Sequence, residues 1–384
     1  MVCVSWDVSG TRIGPEMPTE VDAILEQWGF PEGAQIVERI ENPQVLHGSK
    51  LIVRLPSSTG TLFIGCVNNG YWPADERVEA RLSAVIRGAS ACPTVPVSFL
   101  REEKGSAPLR VKKTVSLAAP IRRTNGSILL RIAPERPPIY VTSAFPPATM
   151  QSRRNFEPLC LAAVAGAYHR IMECAGPPSA QEIKASDTVR NVEGYLKWLA
   201  GELEALATEA KLPDGFEAAD LRLLEKHRDH IRYLRDNRAA RLAALPAAWI
   251  HDDLQFKNVL EGDDGALVVM DLTDGSWAPR VFDLAYVLTV GGDDECVPDT
   301  GVPTLEHEFA ARLRTYHEAG GKAFTQEEIF LLPNALQIKL TAAAHYWWRY
   351  QPRSQQFRKL AVWAEMVVDA REVLRAAATA SNSS

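Results

Sequence analysis

The stretch Trp249-Ile250-His251-Asp252-Asp253-Leu254-Gln255-Phe256-Lys257-Asn258-Val259-Leu260, followed after a turn by Leu267-Val268-Val269-Met270-Asp271-Leu272, decides how the chain reads. Polar residues are set singly into apolar surroundings, and Asp264-Gly265 divides two β-type runs. An Asp-Gly pair predicts a two-residue hairpin turn, because a type I′ turn needs positive φ at both central positions. In that register Asp263 faces Ala266, and Asn258 comes opposite Asp271. Directly opposed residues hold their Cβ atoms roughly 4.5–5.5 Å apart, close enough for an amide oxygen and a carboxylate to share one cation. Oxygen donors of this kind suit Mg²⁺, which takes one or two protein ligands plus substrate phosphates. Asp253 lies on the loop entering the hairpin, within reach of a hydroxyl beside a metal-bound phosphate, and is the candidate base. Phosphoryl transfer asks for little more than a positioned acceptor, a metal on the phosphates and neutralised charge.

Outward from this stretch, the two halves of the chain differ in period. From about Ala34 to Phe145, short β-branched runs (Ile36-Val37, Leu51-Ile52-Val53, Leu62-Phe63-Ile64, Ile128-Leu129-Leu130, Ile139-Tyr140-Val141) alternate with Gly, Pro, Ser and Asn, which predicts a mostly antiparallel sheet. One helix interrupts it, Asp75 to Arg87, with Val78, Leu82, Val85 and Ile86 on one face. After Pro146-Pro147 the periods are helical, with Ser179-x-x-Glu182 and Thr325-x-x-Glu328 as capping boxes and Gly320-Gly321 as a stop. The expected fold is α+β and bilobal, protein-kinase-like: a mostly β lobe over residues 1–145 that binds nucleotide, and a mostly α lobe over 146–384 that carries the catalytic hairpin and binds substrate.

Composition narrows the partners. The chain has 384 residues, a formal net charge of −6, 46% hydrophobic and 23% charged residues, which is ordinary globular usage. A net acidic chain lacks the basic face that a dedicated nucleic-acid binder needs. Six scattered cysteines without C-x-x-C spacing read as reduced thiols. Neither a signal peptide nor a membrane-spanning run is visible, so a cytoplasmic location is expected.

His251-x-Asp253-x-x-x-x-Asn258, followed by a strand ending in Asp271, resembles the kinase catalytic loop and metal-binding aspartate. With Arg280-Val-Phe-Asp283-Leu-Ala, the stretch from about Trp249 to Leu288 is similar to the aminoglycoside phosphotransferase and choline kinase superfamily. That resemblance implies O-phosphorylation of a small molecule by ATP or GTP. It implies Asp253 as base within a catalytic set with His251 and Asn258, Asn258 and Asp271 as Mg²⁺ ligands, and His251 and Asp283 as braces of the loop. More loosely, Ile139 to Phe145 resembles the hinge where adenine bonds to backbone groups, which places Ser143 and Phe145 beside the nucleotide, with Ala163 to His169 as the helix behind it.

The resemblance also implies a small-lobe lysine paired with a helix glutamate. Glu79 fits the glutamate, but Gly65 stands at the lysine position, and Arg54 is the alternative cation. Further cations are available in Lys257 and in the stretch Arg110, Lys112, Lys113, Arg122, Arg123 and Arg131. Asp293, Asp294, Glu295 and Asp299 are candidates for a cationic acceptor, and His345, Tyr346, Trp347, Trp348 and Tyr350 for an aromatic or cationic one. Two rivals stay open: Ser/Thr phosphorylation of a peptide guided by the basic stretch, and a pseudokinase that binds or scaffolds after losing its lysine.

Overall fold

The computed structural model describes residues 17–30, 32–40, 50–55, 61–66, 75–101, 107–130, 138–144, 158–185, 191–209, 211–262, 265–289, 305–350 and 352–382. The small lobe begins with α1 (Met17–Glu26), then β1 (Gln35–Ile40), β2 (Lys50–Arg54), β3 (Thr61–Cys66), α2 (Asp75–Ala91), β4 (Val95–Arg101), β5 (Leu109–Leu117) and β6 (Ile139–Ala144). The helices α3 (Pro158–Glu173), α4 (Ala180–Ala185), α5 (Val192–Ala207) and α6 (Ala218–Ala243) open the large lobe. Short strands β7 (Ala247–Ile250), β8 (Val259–Glu261), β9 (Leu267–Val269) and β10 (Ser276–Pro279) follow. The chain closes with α7 (Ala285–Leu288), α8 (Leu305–Glu318), α9 (Gln326–Arg349), α10 (Ser354–Asp369) and α11 (Arg371–Asn382). A small sheet lobe and a large helical lobe result, as the two periods predict. The boundary expected between Phe145 and Pro146 lies outside the described residues.

The antiparallel sheet β1-β2-β3-β6 is covered on both faces. Alternation along each strand turns Val53, Leu62, Ile64 and Val141 towards Val21, Ile24, Leu25 and Trp28 of α1. Phe63 and Tyr140 point the other way, into the main core with Val78, Leu82 and Val85 of α2. The expected strand over Ile128-Leu129-Leu130 is not a strand; only isolated bridges Leu130↔Ile139 and Pro120↔Thr142 extend the sheet there. Its backbone is held by a side chain instead, as described below.

The strands β4 and β5 leave that sheet altogether. They form β4-β5-β9-β8 with the hairpin from the large lobe, β5 running parallel to β9. Residues Val95, Val97 and Phe99 face inward along β4, the period-2 pattern of a half-buried strand. A second small ladder pairs β7 with β10, where Trp249 meets Trp277 edge-on at 5.7 Å. Trp249 is fully buried and donates its indole N–H to the Gly176 carbonyl at 2.8 Å. Truncating such a residue typically costs 3–5 kcal/mol, so the strand entering the loop is firmly seated.

Both capping boxes form. Ser179 and Glu182 exchange bonds of 2.7 and 3.1 Å ahead of α4, and Thr325 and Glu328 exchange 2.8 and 3.1 Å at the start of α9. Glu328 also receives a bidentate pair from the buried Arg280 at 2.7 and 2.9 Å, tying the turn after β10 to α9.

Candidate active site

The hairpin register differs from expectation. Val259 pairs with Val269, Leu260 with Val268 and Glu261 with Leu267. Gly262 donates to the Ala266 carbonyl at 2.7 Å, so three residues close the loop rather than two. Gly265 takes φ of +76°, the left-handed position that closes a three-residue hairpin. One extra loop residue shifts the pairing by one, because a strand has period 2. Asn258 therefore sits opposite Met270, whose N–H donates to the Asn258 carbonyl at 2.8 Å, and not opposite Asp271. Asp263 and Asp264 lie outside the described residues.

Both ends of the hairpin then depart from strand geometry. Asn258 closes a short 3-10 turn, Phe256–Asn258, and Asp271 has φ of +56°. Asp252 has φ of +72°, and these two aspartates are the only non-glycine residues with positive φ among the described ones. Aspartate tolerates this region better than most residues, yet such conformations persist only where surroundings over-determine them.

Those surroundings can be named atom by atom. Asp283 is buried and accepts the N–H groups of His251 and Asp252, each at 2.7 Å, and the His169 ring at 3.1 Å. Burial alone would raise its pKa, but the His169 bond, the fields of His169 and His251, and the His251 N–H outweigh burial and hold it below the usual carboxylate range. Its carboxylate thus braces the loop; α7 starts without a side-chain cap. The buried His251 donates from Nε2 to the Met270 carbonyl at 2.8 Å, and its Nδ1 accepts the Asp253 N–H at 3.3 Å. A carbonyl only accepts, so the ring proton is on Nε2.

Asp253 is half-buried. One carboxylate oxygen takes a bond from Gln255 Nε2; the other takes Asn258 Nδ2 at 3.0 Å and faces Lys257 Nζ at 3.3 Å. Asn258 Nδ2 also donates to the Asp253 carbonyl at 2.7 Å. With its amide nitrogen so committed, Asn258 turns its remaining polar atom, Oδ1, into the available acceptor. The loop therefore gathers Asp253, Asn258 and Gln255, with Asp271 one residue past the Asn258–Met270 pair at the same open end of the hairpin, where Thr273 Oγ1 donates to it at 3.4 Å.

Residues 159–327, which span α3, the loop and the hairpin, match the family model described as phosphotransferase enzyme family. Through this segment, which is less than half of the chain, the protein is similar to the phosphotransferase enzyme family. In fold the chain is similar to an aminoglycoside phosphotransferase from Alicyclobacillus acidocaldarius, at 15% identity and TM-score 0.54 over 97% of this chain and 98% of that one. It is likewise similar to a spectinomycin phosphotransferase in complex with ADP and spectinomycin, at 15% identity and TM-score 0.54 over 94% and 100% of the two chains. No curated protein sequence matches it.

The small-lobe side of the molecule departs from the expected lysine–glutamate pair. Gly65 faces Tyr140 across β3 and β6, and a Cβ at Gly65 would lie 2.7 Å from Tyr140 Cζ and 2.9 Å from Phe63. The tyrosine ring fills the space into which a side chain at 65 would project. Glu79 instead accepts the backbone N–H groups of Ile128 and Leu129 at 2.6 and 3.0 Å, holding the segment that sequence had read as a strand. Arg54 ends β2 with its side chain exposed. Ser143 pairs through its backbone with Leu62, while Phe145, Arg131 and the acidic residues Asp293, Asp294, Glu295 and Asp299 lie outside the described residues.

The rest of the basic stretch divides among separate partners. Lys113 pairs with Glu261 of the hairpin, Arg110 donates to Ser98 at 3.1 Å, Arg122 to the Gly126 carbonyl at 2.9 Å, and Arg123 to Gln27 at 3.0 Å. Two cations that sequence reading missed lie at the site. Arg81 of α2 is fully buried, donates to the Tyr168 hydroxyl and to the Leu272 carbonyl at 3.4 Å, and lies over the Trp249 ring at 5.6 Å. Lys339 of α9 reaches Asp252; from Ile329 to Trp348 it is the only lysine, arginine or acidic residue, a signal that was there to be read.

The aromatic cluster splits. Trp347 and Trp348 are core residues, whereas Tyr346, Tyr350 and Trp198 of α5 are exposed around His345. Trp198 and Tyr350 each meet the His345 ring edge-on at 5.8 Å, and Glu202 approaches its Nε2 at 3.4 Å. Tyr346 lies seven residues beyond Lys339, two turns further on the same face of α9 and roughly 10 Å along the axis.

Proposed function

We propose that this phosphotransferase moves the γ-phosphoryl group of ATP or GTP to a hydroxyl of a small molecule, with Asp253 as the base. One observation carries the reading: Asp253, Asn258 and His251 are held in one hydrogen-bonded loop whose peptide groups are anchored by Asp283. Asp253 orients the acceptor hydroxyl and takes its proton as the bond to phosphorus forms. The Lys257 ammonium beside Asp253 is half-exposed and can turn towards phosphate on its flexible stem.

The donor set fits Mg²⁺. Among the described residues no cluster of three His, Cys, Asp or Glu side chains forms a metal cage. An amide oxygen at Asn258 and a carboxylate at Asp271 are the hard, incomplete oxygen set expected when phosphates complete the coordination. Bound there, Mg²⁺ supplies charge neutralisation on the phosphates. The chain's own part is to hold those oxygens.

An acceptor bearing an aromatic or cationic group is favoured by the exposed Trp198, Tyr346 and Tyr350 with Glu202 beside them. The scattered pairing of the basic stretch gives a peptide leader no continuous basic face among the described residues. The pseudokinase reading draws on one observation, the Tyr140 ring over Gly65.

The deciding experiment measures the thermal midpoint with ATP or GTP, with and without Mg²⁺, followed by phosphate release. A ligand at about 100 times its Kd stabilises by roughly 2.7 kcal/mol. A Mg²⁺-dependent rise with turnover supports transfer; binding without turnover selects the pseudokinase; no binding of either nucleotide overturns the proposal.

A further inference from the structure

The peptide group joining residues 252 and 253 is gripped from both ends. Its N–H, on Asp253, donates to His251 Nδ1 at 3.3 Å, and its carbonyl, on Asp252, accepts from Lys339 Nζ at 3.0 Å. The same ammonium bonds the Asp252 carboxylate at 2.7 Å. Lys339 comes from the middle of α9, 87 residues further along the chain, and is 8% exposed.

Asp252 holds φ of +72°, a conformation that glycine adopts freely and L side chains adopt seldom. Its side chain therefore both burdens the loop and supplies the anchor that offsets the burden. The Asp283 carboxylate holds the Asp252 N–H on one side, and Lys339 holds its carbonyl and carboxylate on the other. The rotation of this peptide plane sets the direction in which Asp253 leaves the backbone.

We infer that Lys339 is a positioning residue: through its bonds to Asp252 it locks the peptide that aims Asp253, and so couples α9 to the reacting end of the loop. This rests on Asp253 acting as proposed above. Lys339 touches neither nucleotide nor acceptor in this account. Its loss lowers kcat and leaves the nucleotide KM in place. A glycine at 252, which needs no anchor and leaves no carboxylate stranded, makes Lys339 dispensable.

The test compares wild type, K339M, D252G and the double variant D252G/K339M in two readouts: Mg²⁺-dependent hydrolysis of ATP or GTP with water as acceptor, and amide hydrogen exchange across residues 251–254. K339M is expected to lose at least tenfold in kcat with KM within twofold, and to exchange faster across the loop. D252G/K339M is expected to match D252G within twofold in both readouts. Should K339M fail to fold, the D252G pair carries the comparison alone, since neither member leaves a buried carboxylate without its cation. A K339M protein equal to wild type in rate and exchange overturns the inference, as does a D252G/K339M protein clearly slower than D252G, because the effect of Lys339 would then bypass residue 252. Absence of hydrolysis in wild type sinks the proposed function, and the exchange comparison still decides the role of Lys339.

Discussion

The loop at residues 251–258 and the small-lobe sheet are built in opposite ways. Around residues 251–258 nearly every polar group is bonded twice over: Asp283 to two backbone N–H groups and His169, Asn258 to two oxygens of Asp253, Lys339 to two oxygens of Asp252. On β3 and β6, where the small-lobe lysine is expected, an uncharged Gly65 lies under the Tyr140 ring and Glu79 is spent on backbone N–H groups. The difference teaches that this chain concentrates its charge chemistry on the large-lobe side. From the small lobe, Arg81 reaches the chain just after Asp271, buried against Leu272 and Tyr168. Its bonds to the Leu272 carbonyl and the Tyr168 hydroxyl seat the chain there.

The contrast breaks first at the loop. Asp253→Ala is expected to lower Mg²⁺-dependent phosphate release by about 10²–10⁴-fold, the usual worth of a positioned general base. Because Asp253 is half-buried and Asn258 keeps its bond to the residue-253 carbonyl, the nucleotide-induced rise in thermal midpoint should persist. Steady-state kinetics beside a melting curve tests both halves; unchanged turnover would remove Asp253 from the role.

Asp283 tests the brace through pH. Its folded pKa lies below its unfolded value, so it contributes stability above about pH 4, and that contribution disappears as pH falls through the folded pKa. Urea midpoints between pH 3 and pH 7 should therefore drop steeply on the acid side in wild type and more gently in Asp283→Asn. Other depressed carboxylates, Asp220 and Glu182 among them, titrate in both proteins and cancel in the difference. At neutral pH the variant should lose about 3–5 kcal/mol, as when one partner of a buried charge network is removed.

How far these features were legible depended on the range of the interaction. The order His251, Asp253, Asn258, Asp271, Asp283 is local, and so are the capping boxes at Ser179 and Thr325, which need only three-residue spacing. The hairpin register failed because an Asp-Gly pair suits a two-residue loop and a three-residue loop alike; the Gly262–Ala266 pairing decides between them. Pairing of β5 with β9 joins residues about as far apart as Val115 and Leu267, and no local period announces that. Lys339 was visible as a lone charge in an apolar helix, but its partner was not. The left-handed turn at Asp252 left only a weak trace in residue type, since aspartate tolerates that region but glycine is the stronger signal.

A smaller effect sharpens the comparison from the small-lobe side. Gly65→Lys restores the expected charge, yet its Cβ would meet Tyr140 Cζ at 2.7 Å. Overpacking of this kind costs about 1–3 kcal/mol, so the variant should unfold at lower urea without faster turnover. Pairing it with Tyr140→Ala vacates the space. If the sheet is silent only because the ring occupies the lysine's path, the double variant should lower the nucleotide KM relative to Tyr140→Ala alone.

The smallest expected change is at Glu79. In a lysine–glutamate pair, neutralising the glutamate would injure nucleotide binding and leave the fold alone. Here its two oxygens hold the Ile128 and Leu129 N–H groups at 2.6 and 3.0 Å, so the sign of the effect reverses. Glu79→Gln keeps one oxygen acceptor and gives the other N–H a donor to face, which should cost about 1 kcal/mol of stability, the size of one hydrogen bond to a charged group weakened to a neutral one. Nucleotide KM should stay within twofold. A large rise in KM with an unchanged urea midpoint would mean that Glu79 turns from Ile128 towards the nucleotide in the working enzyme, and the division of labour between the two faces would have to be redrawn.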